Sequence, residues 1–204
     1  MLKAFFSERT RSLDVRIGIL FSKIGISPNS WTALSLIPAV LGFISLYHHN
    51  LGLGLVFFIM SGFIDIIDGN VARVTKSVSN LGAFLDGVVD RYVEFSLYLG
   101  IWFYIDSQPA VLLPNGLWMM FLVFGAIMPS FITAYADHRS VVVDPQRLRR
   151  MGGLIERFER LLILYLGMLL GLFNPIWLTY TIILVALLSH LTAIQRIFWV
   201  IRGK

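Results

Sequence analysis

The 204-residue chain is 57% hydrophobic and only 14% charged, and its mean hydropathy of +0.77 excludes an ordinary water-soluble domain. It has no cysteine, which rules out disulfides and thiolate metal sites and leaves oxygen or imidazole to hold any cation. In so apolar a chain, a net charge of +5 points to the ends of membrane spans, anionic lipid and phosphate, and away from nucleic acid.

Residues 9–25, RTRSLDVRIGILFSKIG, set Leu13, Ile17, Leu20 and Phe21 against Arg16 and Lys23, which predicts an amphipathic helix in the membrane interface. Pro28 follows, and Asn29 and Ser30 are expected to cap the first span. A hydrocarbon layer about 30 Å thick needs roughly 20 apolar residues per helix. Stretches of that kind cover approximately 31–48, 51–70, 82–104, 115–137, 154–173 and 175–199. The expectation is an all-α, polytopic membrane protein with a single domain over 1–204. Its cytoplasmic or interfacial segment is 1–30 and its six-helix bundle 31–200. Short turns at His48-His49-Asn50 and Asn174-Pro175 make the spans they join antiparallel. The N-terminus lacks the pattern of a cleaved signal peptide. All 17 Lys and Arg residues fall on one side of this layout, and of the 12 acidic residues only Asp106 falls on the other. The positive-inside rule then puts both termini in the cytoplasm of a cell-membrane protein.

Charge inside a span is costly, so Asp65, Asp68, Asp86, Asp90, Arg91 and Glu94 demand a reason. Pairing with Arg73 and Arg91 accounts for two carboxylates at most. Asp65 and Asp68 are three residues apart and Asp86 and Asp90 four apart, so each pair shares a helix face. Two antiparallel helices can bring the four together, and divalent cations such as Mg²⁺ are the usual remedy for their repulsion. Gly69 and Gly82 suit a close approach to the backbone by a ligand, or simply close helix packing. Arg73, one turn past the first acidic pair, offers a two-pronged grip on phosphate.

The run DIIDGNVARVTKSVSNLGAFLDGVVD spells D-x2-D-G-x2-A-R-x8-G-x3-D-x3-D and so resembles the CDP-alcohol phosphotransferase family, also called CDP-alcohol phosphatidyltransferase. That resemblance implies an enzyme of phospholipid biosynthesis, a transferase of substituted phosphate groups. In it an alcohol attacks the lipid-side phosphorus of a CDP-linked lipid and CMP leaves. It further implies that Asp65, Asp68 and Asp86 hold two Mg²⁺ ions, with Mn²⁺ an acceptable substitute. Asp90 would also lie near the metals and act as catalytic base. The CDP moiety would bind at Asp65, Asp68, Gly69, Ala72, Arg73, Gly82 and Asp86. Family members are typically homodimers, so a homodimer is expected among membrane lipids.

The acceptor side is sought after the fourth span, where Arg147, Arg149, Arg150, Arg157 and Arg160 cluster. Arg157 and Arg160 share one helix face and suit a phosphate pocket, whereas Arg147 and Arg149 suit lipid headgroups. The run GGLIERFER resembles the branch of phosphatidylinositol phosphate and archaetidylinositol phosphate synthases, which implies inositol 1-phosphate as acceptor and Ser130, Thr133, Arg157 and Arg160 as its binding residues. Thr133 and Tyr135 stand where that branch carries basic residues. Glycerol 3-phosphate or an alcohol without phosphate is the alternative acceptor, and the lipid can be of the diacylglycerol or archaeol kind. His190, within the last span, is expected to hydrogen-bond a neighbouring helix. A cation-coupled transporter is a rival of another class, because clustered intramembrane carboxylates also mark ion paths. Against it stand the cluster's place at one membrane face, the absence of an inverted repeat, and an arginine and glycines with no part in cation passage.

Overall fold

The computed structural model describes residues 13–149 and 151–202, which are helical throughout apart from turns and one isolated bridge between Val111 and Leu113. They divide into two compact units, one ending at Gly100 and the other beginning at Ile101.

In the first unit, α1 covers 13–22, α2 Pro28–Leu34, α3 Leu36–Tyr47, α4 Leu51–Val74, and α5 begins at Asn80 and runs to Ile105. The predicted amphipathic segment is helical over 13–22, and its residues 9–12 lie outside the described part. Ile17 and Phe21 pack on Trp31, Ile67 and Val71, while Leu13 and Leu20 are exposed. A side chain at Gly18 would meet the backbone oxygen of Asn70 at 2.7 Å, so α1 lies hard against the end of α4. The cap of α2 differs from expectation. Ser27 accepts the backbone N–H of Ser30 at 3.2 Å and Pro28 opens the helix, which places Asn29 and Ser30 inside it. Proline at the first helical position has no N–H to satisfy and a preset φ, so the start moves forward to it. The apolar stretch Pro28–Tyr47 breaks at Ser35, because Pro38 cannot donate to the carbonyl four residues back. Helix α4 packs on both α2 and α3. Phe58 and Leu46 fill the seam, where a side chain at Gly42 would meet the Phe58 ring at 2.8 Å. The turn before α4 is closed by Asn50, whose side chain accepts the Leu53 N–H at 3.0 Å.

In the second unit follow α6 over Asn115–His138, α7 over Pro145–Arg149, α8 over Arg157–Gly171 and α9 over Pro175–Arg202. Helix α9 packs against α6 and α8 around Leu122, Leu164, Met168, Leu178 and Ile182. His190 meets the backbone oxygen of Phe121 across to α6 at 3.1 Å, the neighbour-helix bond expected of it.

Among the described residues, four helical stretches are long and apolar enough to cross a membrane: Pro28–Tyr47, Leu51–Val74, Asn115–His138 and Pro175–Arg202. Helix α5 has the length, at 26 residues, but carries Asp86, Asp90, Arg91 and Glu94, and α8 has only 15 residues. Large apolar side chains such as Phe63, Phe124 and Leu187 are about half exposed, the surface a bilayer covers.

Candidate active site

Helix α4 carries Asp65 and Asp68 one turn apart and α5 carries Asp86 and Asp90 likewise, with the turn at 75–79 between them. Ser79 starts α5 by accepting the N–H of Gly82 at 3.0 Å. The fold brings carboxylate oxygens of Asp65, Asp68 and Asp86 within 4.8 Å of one another. Asp68 is only 5% exposed, and Asp65 and Asp86 are half-buried. At an effective dielectric of about 20, two unit charges at that spacing repel by roughly 3 kcal/mol. Three such groups therefore call for a cation, and a set made only of carboxylate oxygens from two rigid helices fits a hard divalent ion. Asp90 stands outside the close trio, half-buried one turn further along α5, near enough for its charge to act on Asp68.

Arg91 pairs with Glu94 at 2.7 Å, and Tyr98 donates to the other oxygen of the buried Glu94 at 2.6 Å. Arg73 is exposed and donates to the side-chain oxygen of Asn70. Asp68 accepts the hydroxyl hydrogen of Thr32 from α2. A side chain at Gly69 would meet the Arg73 guanidinium at 3.6 Å, an ordinary contact, whereas one at Gly82 would press on Ser79 and on Asn29 at 3.2 Å. Ala72 lies one residue before Arg73 on the same helix, partly exposed. Sequence did not mark Thr32 or Asn29 as site residues, since nothing in the spacing of an apolar helix ties them to the motif, and Asn70 stands at one of the motif's open positions.

The second unit holds a cavity of about 290 Å³ lined by Ser130 and Thr133 of α6, Arg157 and Arg160 of α8, and Arg196 of α9, with Glu156 and Met151 at its wall. All four residues expected to grip an acceptor phosphate are therefore gathered in one cavity. The stretch before α8 is fastened to α9, where the N–H of Leu154 donates to Gln195 at 2.9 Å and that of Ile155 to Thr192 at 3.1 Å. Glu159 accepts the N–H of Glu156 at 3.2 Å and fixes the first turn of α8, which sets Arg157 and Arg160. Arg160 is 3% exposed. Arg196 donates to the carbonyl of Pro129 at 2.7 Å and to Thr133 at 2.8 Å, while its buried Nε makes no hydrogen bond. Arg196 was missed, although an arginine inside the expected last span, 175–199, is the kind of signal that marks a site. Tyr135 does not line the cavity; it is exposed, with Arg139 over its ring at 5.4 Å. Arg147 lies over Trp199 at 5.5 Å instead, and the side chains of Arg149 and Arg150 fall outside the described part.

Residues 25–198 match the profile of the family described as CDP-alcohol phosphatidyltransferase. The chain is similar to an archaetidylinositol phosphate synthase of Pyrococcus horikoshii, at 30% identity over 183 residues that cover 90% of this chain and 88% of the relative. A phosphatidylinositol phosphate synthase of Corynebacterium glutamicum is 32% identical over 142 residues, 69% of this chain and 60% of the relative. Among solved structures, the Mycobacterium tuberculosis phosphatidylinositol phosphate synthase with CDP-DAG bound superposes with a TM-score of 0.79 at 25% identity, covering 93% of this chain and 94% of that one. The same enzyme in complex with manganese and citrate gives 0.78 at 26% identity, over 92% and 88%.

Proposed function

The chain belongs to the CDP-alcohol phosphatidyltransferase family and is a membrane transferase of phospholipid biosynthesis, and from that premise we propose that it moves a phosphatidyl-type group from a CDP-linked lipid to inositol 1-phosphate. Asp65, Asp68 and Asp86 would hold the cations, with Mg²⁺ and two ions the first choice. When bound there, divalent ions would supply charge neutralisation for the diphosphate and for the departing CMP. Asp90 takes the proton of the acceptor hydroxyl as its oxygen bonds to the lipid-side phosphorus. The bond from that phosphorus to the bridging diphosphate oxygen breaks, and CMP leaves with the electron pair. Arg73 grips the diphosphate, and Gly69, Ala72 and Gly82 give the nucleotide room beside the backbone. Donor binding is supported by the likeness to the enzyme with CDP-DAG bound.

The observation that carries the acceptor is the cavity of the second unit, which Arg157, Arg160 and Arg196 line with three guanidinium groups beside Glu156. That charge, with the hydroxyl of Ser130, suits a phosphate on a polyol. Thr133 is no obstacle to this reading, because it buttresses Arg196. Six spans, with α5 and α8 crossing beside the four apolar stretches, and cytoplasmic termini and active site are part of the same proposal, supported by the one-sided Lys and Arg pattern. So are a single functional domain and a homodimer.

The test is CMP release by purified protein with Mg²⁺, CDP-diacylglycerol or CDP-archaeol, and inositol 1-phosphate, glycerol 3-phosphate or free inositol. Release dependent on inositol 1-phosphate is expected. Equal release with free inositol would remove the phosphate from the acceptor, and faster release with glycerol 3-phosphate would replace it.

A further inference from the structure

The short helix α2 lies outside the family motif, yet one of its side chains reaches into the carboxylate cluster. Thr32 is 4% exposed and its hydroxyl donates to Asp68 Oδ2, thirty-six residues further on. A threonine within a helix commonly turns its hydroxyl to the carbonyl four residues back. Thr32 has that option, since Pro28 O lies at 3.2 Å, but a hydroxyl has one hydrogen and a carboxylate is the stronger acceptor. One turn along, the same pair of elements is tied again where Ser61 of α4 donates to the backbone oxygen of Ser35 at 2.8 Å. Thr32 and Asp68 thus face each other across a seam whose register is fixed at two points.

The position of this bond matters because of what surrounds Asp68. Asp65 and Asp86 bring like charge within 4.8 Å of it, and a carboxylate in that company is pushed to turn away. A buried hydroxyl at one oxygen opposes that rotation. We propose that Thr32 is a positioning residue of the cluster: its hydroxyl holds the Asp68 carboxylate in the orientation in which Asp65, Asp68 and Asp86 together receive a divalent cation. The proposal rests on reading those carboxylates as a cation site, and it adds to the motif a residue that the motif does not contain. Partners of this kind, behind the atoms that touch a metal, commonly change affinity 10- to 100-fold when removed.

The experiment titrates Mn²⁺ into purified full-length protein and follows free Mn²⁺ by electron paramagnetic resonance, which needs no turnover. Thr32→Val, which keeps the shape and removes the hydroxyl, is expected to weaken Mn²⁺ binding about tenfold or more. Thr32→Ser, which keeps the hydroxyl and removes the methyl, is expected to bind within about threefold of wild type, a difference small beside that loss. If Thr32→Val fails to fold, the comparison of Thr32→Ala with Thr32→Ser carries the same contrast. Equal Mn²⁺ affinity in the variant without the hydroxyl, or equal loss in the serine variant, overturns the proposal. Wild type that binds no Mn²⁺ overturns the cation site itself and this proposal with it. Wild type that binds Mn²⁺ but releases no CMP overturns the reaction and leaves the Thr32 contrast to be read from binding.

Discussion

The two halves of the candidate chemistry are built in opposite ways. The carboxylate cluster comes from 65–90, two helices joined by a short turn, and every charged member belongs to one local run of sequence. The cationic cavity draws on Ser130 and Thr133, then Arg157 and Arg160, then Arg196, from three helices spread over more than 60 residues. A local site is a matter of helix periodicity and one turn, so its spacing is rigid. A dispersed site depends on how α6, α8 and α9 pack, and any helix can contribute a residue at whatever position faces inward. In the proposed reaction the local half carries the chemical step and the dispersed half the choice of acceptor.

The largest effects belong to the local half. Replacing Asp90→Asn removes the proposed proton acceptor and should lower the rate of CMP release about 10²- to 10⁴-fold with every acceptor tried, leaving the acceptor KM unchanged. If the loss appears with one acceptor only, Asp90 belongs to recognition and the division between the halves is broken. Chelation with EDTA should abolish release, and added Mg²⁺ or Mn²⁺ should restore it, because the trio of carboxylates is the only close acidic group of its kind among the described residues.

That division also decides what could be read from sequence. Asp65, Asp68 and Asp86 are legible because a helix puts residues three and four apart on one face, and charge in an apolar helix is conspicuous. The same carboxylates keep α5, for all its length, out of the stretches apolar enough to cross a membrane. The start of α2 moved to Pro28 because a serine directly before a proline outweighs the more familiar Asn-Ser pair after it. Thr32 is invisible in the pattern: one hydroxyl in an apolar helix acquires meaning only when a neighbouring helix brings Asp68 to it, whereas Asn70 meets Arg73 three residues along its own helix. Arg196 was open to detection by the rule that flagged Asp65, but it sits near the end of α9, where a basic residue also reads as an anchor at the membrane edge.

Next in size are the arginines. Arg157→Gln should raise the KM for inositol 1-phosphate roughly 10- to 100-fold, the worth of one charge-assisted hydrogen bond, with the KM for the CDP-linked lipid unmoved. A parallel rise in both constants would mean that the cavity serves the donor as well. The complementary change is Gly69→Ala. Its added methyl has room beside Arg73, so thermal stability should hold while the KM for the CDP-linked lipid rises several-fold and that for the acceptor stays put.

The smallest expected effect is also the finest probe of the dispersed half. Thr133 accepts from Arg196 at 2.8 Å and donates to Pro129 O at 3.0 Å, so it touches the cavity chiefly by steadying the arginine. Thr133→Val keeps the volume and removes one neutral acceptor, a change on the order of 1 kcal/mol or about fivefold in acceptor KM. Arg196 retains its 2.7 Å bond to Pro129 O in that variant, which is why the loss should stay small. A loss as large as that of Arg157→Gln would mean that Thr133 binds the acceptor directly, and the third arginine would then be a structural tie between α6 and α9.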